Sequence, residues 1–203
     1  MCALFGSSNK ELFLELAKLN SYRGNHSYSV STYDFCTVDV RVKALGEFVM
    51  PDIDAPYYIG HTQAPTTEAK SDSSIHPSVV EHSYLWHNGI IKEHQVKKWQ
   101  KLLNLLEPWD TKLLHQQLYY GNATEVLSEA DGSFACVWFM EGSLYLFRNA
   151  NCPLYTDGMS YSSTEFANSY PLDYDIIYKL TDRGLIRTSM QFKTAQNFYW
   201  SPE

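Results

Sequence analysis

Cys2 follows directly on the initiator methionine in the run Met1-Cys2-Ala3-Leu4-Phe5-Gly6. A small residue at position 2 meets the condition for methionine removal, and removal would leave a thiol and a free α-amine on one residue. Such a pair is a nucleophile with its own base. An amine with a reference pKa of about 7.7–8.0 is partly unprotonated near neutrality and can take the thiol proton directly or through a water. A second pattern with chemical potential is His87-Asn88-Gly89. The asparagine amide donates without adding a charge, and glycine leaves its backbone N–H unobstructed. The same Asn-Gly pair is also a common hairpin turn. Asp110, just ahead of Thr111, reads as the N-cap of a helix and keeps a carboxylate available for a charge-assisted bond.

Other chemistries lack their residues. There is no GxGxxG or GxxxxGK[ST] loop for phosphates, and no GxSxG elbow for a serine nucleophile. The four cysteines (Cys2, Cys36, Cys136, Cys152) have neither disulfide-framework nor metal-ligand spacing, and the seven histidines are scattered. Cys36, Cys136 and Cys152 read as small buried hydrophobes. The net charge of −7 argues against a nucleic-acid surface, and the lysines 92, 97, 98 and 101 read as the wet side of a helix. No apolar run reaches the roughly 18 residues of a membrane span, and no signal peptide is evident. A reduced, cytoplasmic, metal-free protein without a cofactor is the expectation.

The elements that must position these residues can be read from periodicity. With 203 residues, 44% hydrophobic and 19% charged, the chain suits one domain over residues 1–203. Leu12, Phe13, Leu16, Ala17 and Leu19 recur at helical spacing behind a cap at Ser8 or Asn9, predicting a helix that stops at Gly24. Alternation predicts strands at 27–33, 37–45, 57–62 and 83–91. Helices are expected at 93–106, 111–120 and 123–130, then strands at 133–140, 143–148 and around 176–188, with a short helix near 164–169. Residues 66–74 form the most polar stretch and read as a loop. Strands, a helical block and strands again suggest antiparallel sheets with helices packed outside.

Several short segments occur in an order that resembles the class II glutamine amidotransferases, the glutaminase branch of the N-terminal nucleophile hydrolases. The opening Met1-Cys2-Ala3-Leu4-Phe5-Gly6 is similar to the family's Met-Cys-Gly-Ile-x-Gly. Tyr22-Arg23-Gly24 resembles its Tyr-Arg-Gly, and Gly60-His61-Thr62-Gln63-Ala64-Pro65-Thr66 its Gly-His-Thr-Arg-x-x-Thr. His76-Pro77, His87-Asn88-Gly89-Ile90-Ile91, Asp110-Thr111, Asp131-Gly132-Ser133-Phe134-Ala135 and Ser162-Ser163-Thr164-Glu165 follow in the family's order.

The resemblance implies an α+β fold, a four-layer α/β/β/α sandwich of two antiparallel sheets. It implies that Cys2 attacks the side-chain amide of L-glutamine to form a thioester, with Asn88 and Gly89 as the oxyanion hole and Arg23 and Gly24 positioning the terminus. Asp110 would take the substrate ammonium. His61, Thr62, Gln63 and Thr66 would line the pocket, His76 would orient the loop above it, and His87 would support its strand. Gln63 and Ala64 depart from the pattern, since the family's arginine at the first of these grips the substrate carboxylate. Exchanging a charged for a neutral hydrogen bond costs on the order of 1–2 kcal/mol. That departure leaves open a γ-glutamyl or other amide as substrate, and a catalytically silent binding subunit that keeps Met1. The chain's end at residue 203 leads to the expectation of a separate synthase or acceptor-activating partner for the ammonia.

Overall fold

The strand Gly132–Met140 shows how the chain builds its layers. Side chains alternate across a strand. Phe134, Cys136 and Trp138 pack on one side with Trp99, Leu113, Leu114 and Leu127. Ala135, Val137 and Phe139 pack on the other with Leu4, Tyr57 and Trp86. A strand buried on both faces needs apolar residues at nearly every position, and this one has them. Each large side chain so buried contributes roughly 1.5–3 kcal/mol.

A computed structural model describes residues 2–64 and 74–195. One sheet holds β1 (Ala3–Ser7), β2 (Ser27–Tyr33), β3 (Val38–Leu45), β4 (Tyr57–Gln63) and the short β9 (Tyr155–Thr156), β10 (Tyr161–Ser162) and β11 (Tyr170–Pro171). Their order is β11-β9-β10-β1-β4-β2-β3. The other sheet holds β5 (Ser78–Val80), β6 (Ser83–Ile91), β7 (Gly132–Met140), β8 (Ser143–Arg148), β12 (Ile176–Thr181) and β13 (Gly184–Gln191), in the order β13-β12-β8-β7-β6-β5. Every pairing is antiparallel.

Three apolar clusters set the stacking. Leu4, Tyr33, Ile59 and Trp86 fill the space between the sheets. α1 (Lys10–Leu19) covers the outside of the first sheet, with Phe13, Leu16 and Ala17 against Phe5, Val30 and Tyr58. α2 (Glu93–Leu103), α3 (Asp110–Tyr120) and α4 (Ala123–Glu129) border the cluster on the outside of the second sheet. The fold is therefore the expected α+β sandwich, helix on sheet on sheet on helices.

Local chemistry moves several boundaries. Asn9 caps α1 by accepting from the Leu12 N–H at 2.8 Å. The helix ends at Asn20, short of the expected Gly24, because the Asn20 side chain donates to Leu16 O and to Ser162 Oγ, both at 2.8 Å. A 3-10 turn, Ser21–Arg23, bridges the difference. α2 stops at Leu103, three residues before its expected end, where Asn104 enters the left-handed region at φ 52°. The helix expected near 164–169 does not form. Ser169 Oγ and N–H instead close a turn on Phe166, and Asn168 takes φ 61°. Residues 176–188 divide into a hairpin of two strands, β12 and β13.

His115 on α3 carries a pH consequence. It is buried, with Nδ1 3.1 Å from Ser78 Oγ and Nε2 2.8 Å from Ser83 Oγ. Burial, reinforced by the Lys112 ammonium, pushes its pKa from 6.5 down to about 3. The folded ring stays neutral while the unfolded one takes a proton below pH 6.5. Its contribution to stability is complete above pH 6.5 and is lost as the pH falls from there toward 3, at up to about 1.4 kcal/mol per pH unit. His115→Gln is expected to flatten the acid limb of the thermal midpoint plotted against pH. Parallel curves for the two proteins would contradict this.

Candidate active site

Cys2 is the residue just before β1, whose Leu4 faces the space between the sheets. Alternation puts Cys2 on that same face. The 3-10 turn returns Arg23 to this point, and its Nε donates to Cys2 O at 3.0 Å. Gly24 sits against β4. A Cβ there would lie 2.4 Å from Gln63 C and Ala64 N, so close approach alone demands glycine. The structure thus places Arg23 and Gly24 beside the head of the first strand.

β6 supplies the opposing pair. Asn88 Nδ2 donates to Ser163 Oγ at 3.1 Å, and the same oxygen accepts the Leu4 N–H at 2.9 Å. One buried hydroxyl therefore joins the start of β1 to the Asn88 amide. The Cys152 thiol donates to Asn88 O at 3.3 Å, and Asn88 Nδ2 approaches its sulfur at 3.7 Å. Burial pushes the Cys152 pKa up to about 11, while Arg23 and Cys2 also act on it. This thiol keeps its proton and works as a donor. Asn88 and Gly89 do not form a hairpin turn. They lie within β6, opposite Ala135 and Phe134. Gly89 has φ 142°, and a Cβ would fall 1.9 Å from Ser133 O, so no other residue fits.

A cleft of about 730 Å³ opens at this point. Cys2, Gln63, His76, Gly89 and Asp110 all line it, together with Lys43, Trp109, Thr111 and Lys112. His61 does not line it. It is fully buried behind the wall, its ring stacked on His76 at 3.9 Å and its Nε2 3.2 Å from His87 O. Thr62 alternates to the other face of β4 and is also absent from the wall. Thr66 lies outside the described residues. His76 belongs to the wall itself, with Nδ1 3.4 Å from Gln63 Oε1 and Nε2 3.3 Å from Thr111 Oγ1.

Thr111 is the hub of this wall. Its hydroxyl lies 3.0 Å from His87 Nδ1, 3.3 Å from His76 Nε2 and 3.4 Å from Asp110 Oδ1. One hydroxyl carries one proton, so at least one imidazole N–H must donate into it. Burial lowers the His87 pKa, against the pull of Asp110 and the Ser133 backbone. A neutral ring suits a supporting role. Asp110 is the first residue of α3, whose N-cap is Trp109; the expected cap falls one residue later than the real one. Its Oδ1 accepts the Thr111 N–H at 2.7 Å and its Oδ2 the Ile91 N–H at 3.1 Å, which ties α3 to β6.

Sequence reasoning missed Ser163 and Cys152 as partners of Asn88, and Thr111 as the hub. Ser163 and Thr111 stood inside recognised motifs without a role. Cys152 read as a hydrophobe, which Cys136 is, whereas Cys36 proves exposed. Among the described residues no group of His, Cys, Asp and Glu side chains could hold a metal ion, and no helix is long and apolar enough to cross a membrane.

No protein-family model matches the chain, and no curated protein matches it. Solved structures do. Glutamine phosphoribosylpyrophosphate amidotransferase from B. subtilis, complexed with ADP and GMP, superposes with a TM-score of 0.69 at 16% identity, over 92% of this chain and 49% of that one. A structure described as the allosteric regulatory enzyme of purine biosynthesis gives 0.69 at 18% identity, over 94% and 50%. A glutamine aminotransferase class-II domain protein from Silicibacter pomeroyi gives 0.50 at 12%, over 96% and 100%. The chain spans about half the length of the first two. Two antiparallel sheets between helical layers, together with these neighbours, give the chain the N-terminal nucleophile hydrolase fold of class II glutamine amidotransferase domains.

Proposed function

We propose that this chain hydrolyses the side-chain amide of L-glutamine through a thioester on Cys2 and passes the ammonia to a separate acceptor-activating protein. The observation that supports this most is the Ser163 hydroxyl, which holds the Asn88 amide beside the head of β1. Cys2 and Gly89 open into one cleft from either side of that link.

In this reading the α-amine, freed by loss of Met1, takes the thiol proton as the sulfur attacks the amide carbon. The oxygen that gains charge accepts from the Gly89 N–H and from Asn88 Nδ2, which keeps one proton on Ser163 and turns the other from the Cys152 sulfur, its longer contact at 3.7 Å. Collapse expels ammonia, which leaves with the proton held by the amine. Water then attacks the thioester, the same donors hold the second oxyanion, and glutamate departs. Arg23 fixes the Cys2 carbonyl, and Asp110 takes the substrate ammonium.

The neutral Gln63 in the wall favours a second reading, an amide other than free glutamine, either a γ-glutamyl compound whose α-carboxylate is itself blocked or an amide whose far end carries no carboxylate. A chain lacking Met1, verified by intact mass, is expected to release glutamate and ammonia from glutamine in equal amounts, and a chain retaining Met1 to release neither. Equal rates from the two forms would remove the amine from the mechanism. No release from either form would remove the reaction.

A further inference from the structure

Lys43 and Lys112 are the only lysine or arginine side chains among the described residues lining the cleft. They arrive from different layers, Lys43 from β3 and Lys112 from α3. Lys43 Nζ donates to Pro77 O at 3.2 Å, and Lys112 Nζ donates to Val79 O. The two ammoniums are thus tethered two residues apart along a single segment. Among the described residues neither is in an ion pair, although the chain carries a net charge of −7. Burial lowers the Lys43 pKa, and the like charge of Lys112 lowers it further. Two cations outside any ion pair and tethered to carbonyls two residues apart repel, and an anion shared by them relieves the repulsion.

The rest of the cleft suits such an anion poorly. The carboxylates of Glu93, Glu107 and Asp110 line it, and Gln63 is neutral. Both Asp110 oxygens already accept backbone N–H groups, from Ile91 and Thr111. The cleft therefore has a cationic edge and an anionic one, the complement of a zwitterion.

We infer that Lys43 and Lys112 bind the carboxylate of the amide substrate, so that the cleft takes a free α-amino acid although Gln63 carries no charge. The assignment rests on the proposed amide hydrolysis and names two specificity-determining residues for it. Charge-assisted bonds of this type are strong enough for each to alter affinity by about tenfold or more.

The test compares L-glutamine with 4-aminobutanamide, which keeps the carboxamide and ammonium but has no carboxylate. For Lys43→Gln and for Lys112→Gln, kcat/KM on glutamine is expected to fall about tenfold, with KM carrying most of the change. Turnover of 4-aminobutanamide is expected to stay within about twofold of wild type, which also shows that the variants fold. Equal losses on both substrates, or no loss on either, would overturn the assignment. If wild type turns over neither amide, the proposed reaction fails separately. The lysine pair is then read by titrating L-glutamate against tryptophan fluorescence, since Trp109 lines the cleft. Binding by wild type that the double variant loses supports the pair, and no binding by wild type refutes it.

Discussion

Cys2→Ala is expected to lower glutamate release by at least about 10⁴-fold, because no second nucleophile can take its place in a thioester mechanism. The other thiols cannot substitute. Cys136 is fully buried on the helix-facing side of β7, and burial raises its pKa well above the usual thiol range. Cys152 is close to the site, but its pKa of about 11 keeps it protonated and its hydrogen is committed to Asn88 O. Cys36 is exposed on the turn that Asp34 organises. The assay follows glutamate release and compares circular dichroism of the two proteins. A Cys2→Ala protein that is folded and retains more than about a hundredth of the wild-type rate would contradict the assignment.

The second large effect is expected at the oxyanion site. Asn88→Ala removes a donor from the charge that develops in the transition state, and such a donor is worth about 10²–10³ in kcat. The loss should appear in kcat with little change in KM, since the ground-state amide oxygen is held more weakly than the oxyanion. Asn88 also bonds Ser163 and Cys152, so its loss perturbs packing. Ser163→Ala separates the two contributions. It leaves Nδ2 in place but unanchored, and is expected to cost less than Asn88→Ala. If the Ser163 variant loses as much activity as the Asn88 variant, Asn88 acts only as a structural post. Gly89 offers no comparable clean variant. A Cβ at φ 142° and 1.9 Å from Ser133 O would push β6 and β7 apart, and Gly89→Ala is expected to unfold at markedly lower temperature.

Much of this arrangement was legible in the residues, and the exceptions have physical causes. β2, β6 and β8 fall where strands were expected, and in β2 the cause is visible in the residues, since Tyr28 and Val30 alternate with Ser27, Ser29 and Ser31. β9, β10 and β11 span two residues each, too few to show any period, and were missed. α1 and α2 ended early because Asn20 and Asn104 terminate them by side-chain bonding and left-handed backbone, features that apolar periodicity does not register. At the site, Cys2, Gln63, His76, Gly89 and Asp110 line one cleft, although they come from separate motifs, while Asn88 lies behind its wall. His61 and Thr62 do not reach the cleft, because a motif fixes position along a strand but not which residue a neighbouring ring will cover. Ser163 and Cys152 gain their roles only when segments some 64 to 159 residues apart meet, which no local spacing records. Lys43 sits on a strand of alternating exposure and looks like any solvated lysine until Pro77 is placed beside it.

The central claim is that the Cys2 sulfur, beside its own unblocked amine, carries the acyl group. Acid-quenching a glutamine reaction in the steady state and mapping the peptides by mass spectrometry tests this most directly. The account predicts a γ-glutamyl group on the N-terminal peptide, on a Cys2 that has lost Met1, and released by hydroxylamine. A glutamyl group on any other residue, or glutamate release from a chain whose Cys2 amine remains blocked by Met1, would contradict it.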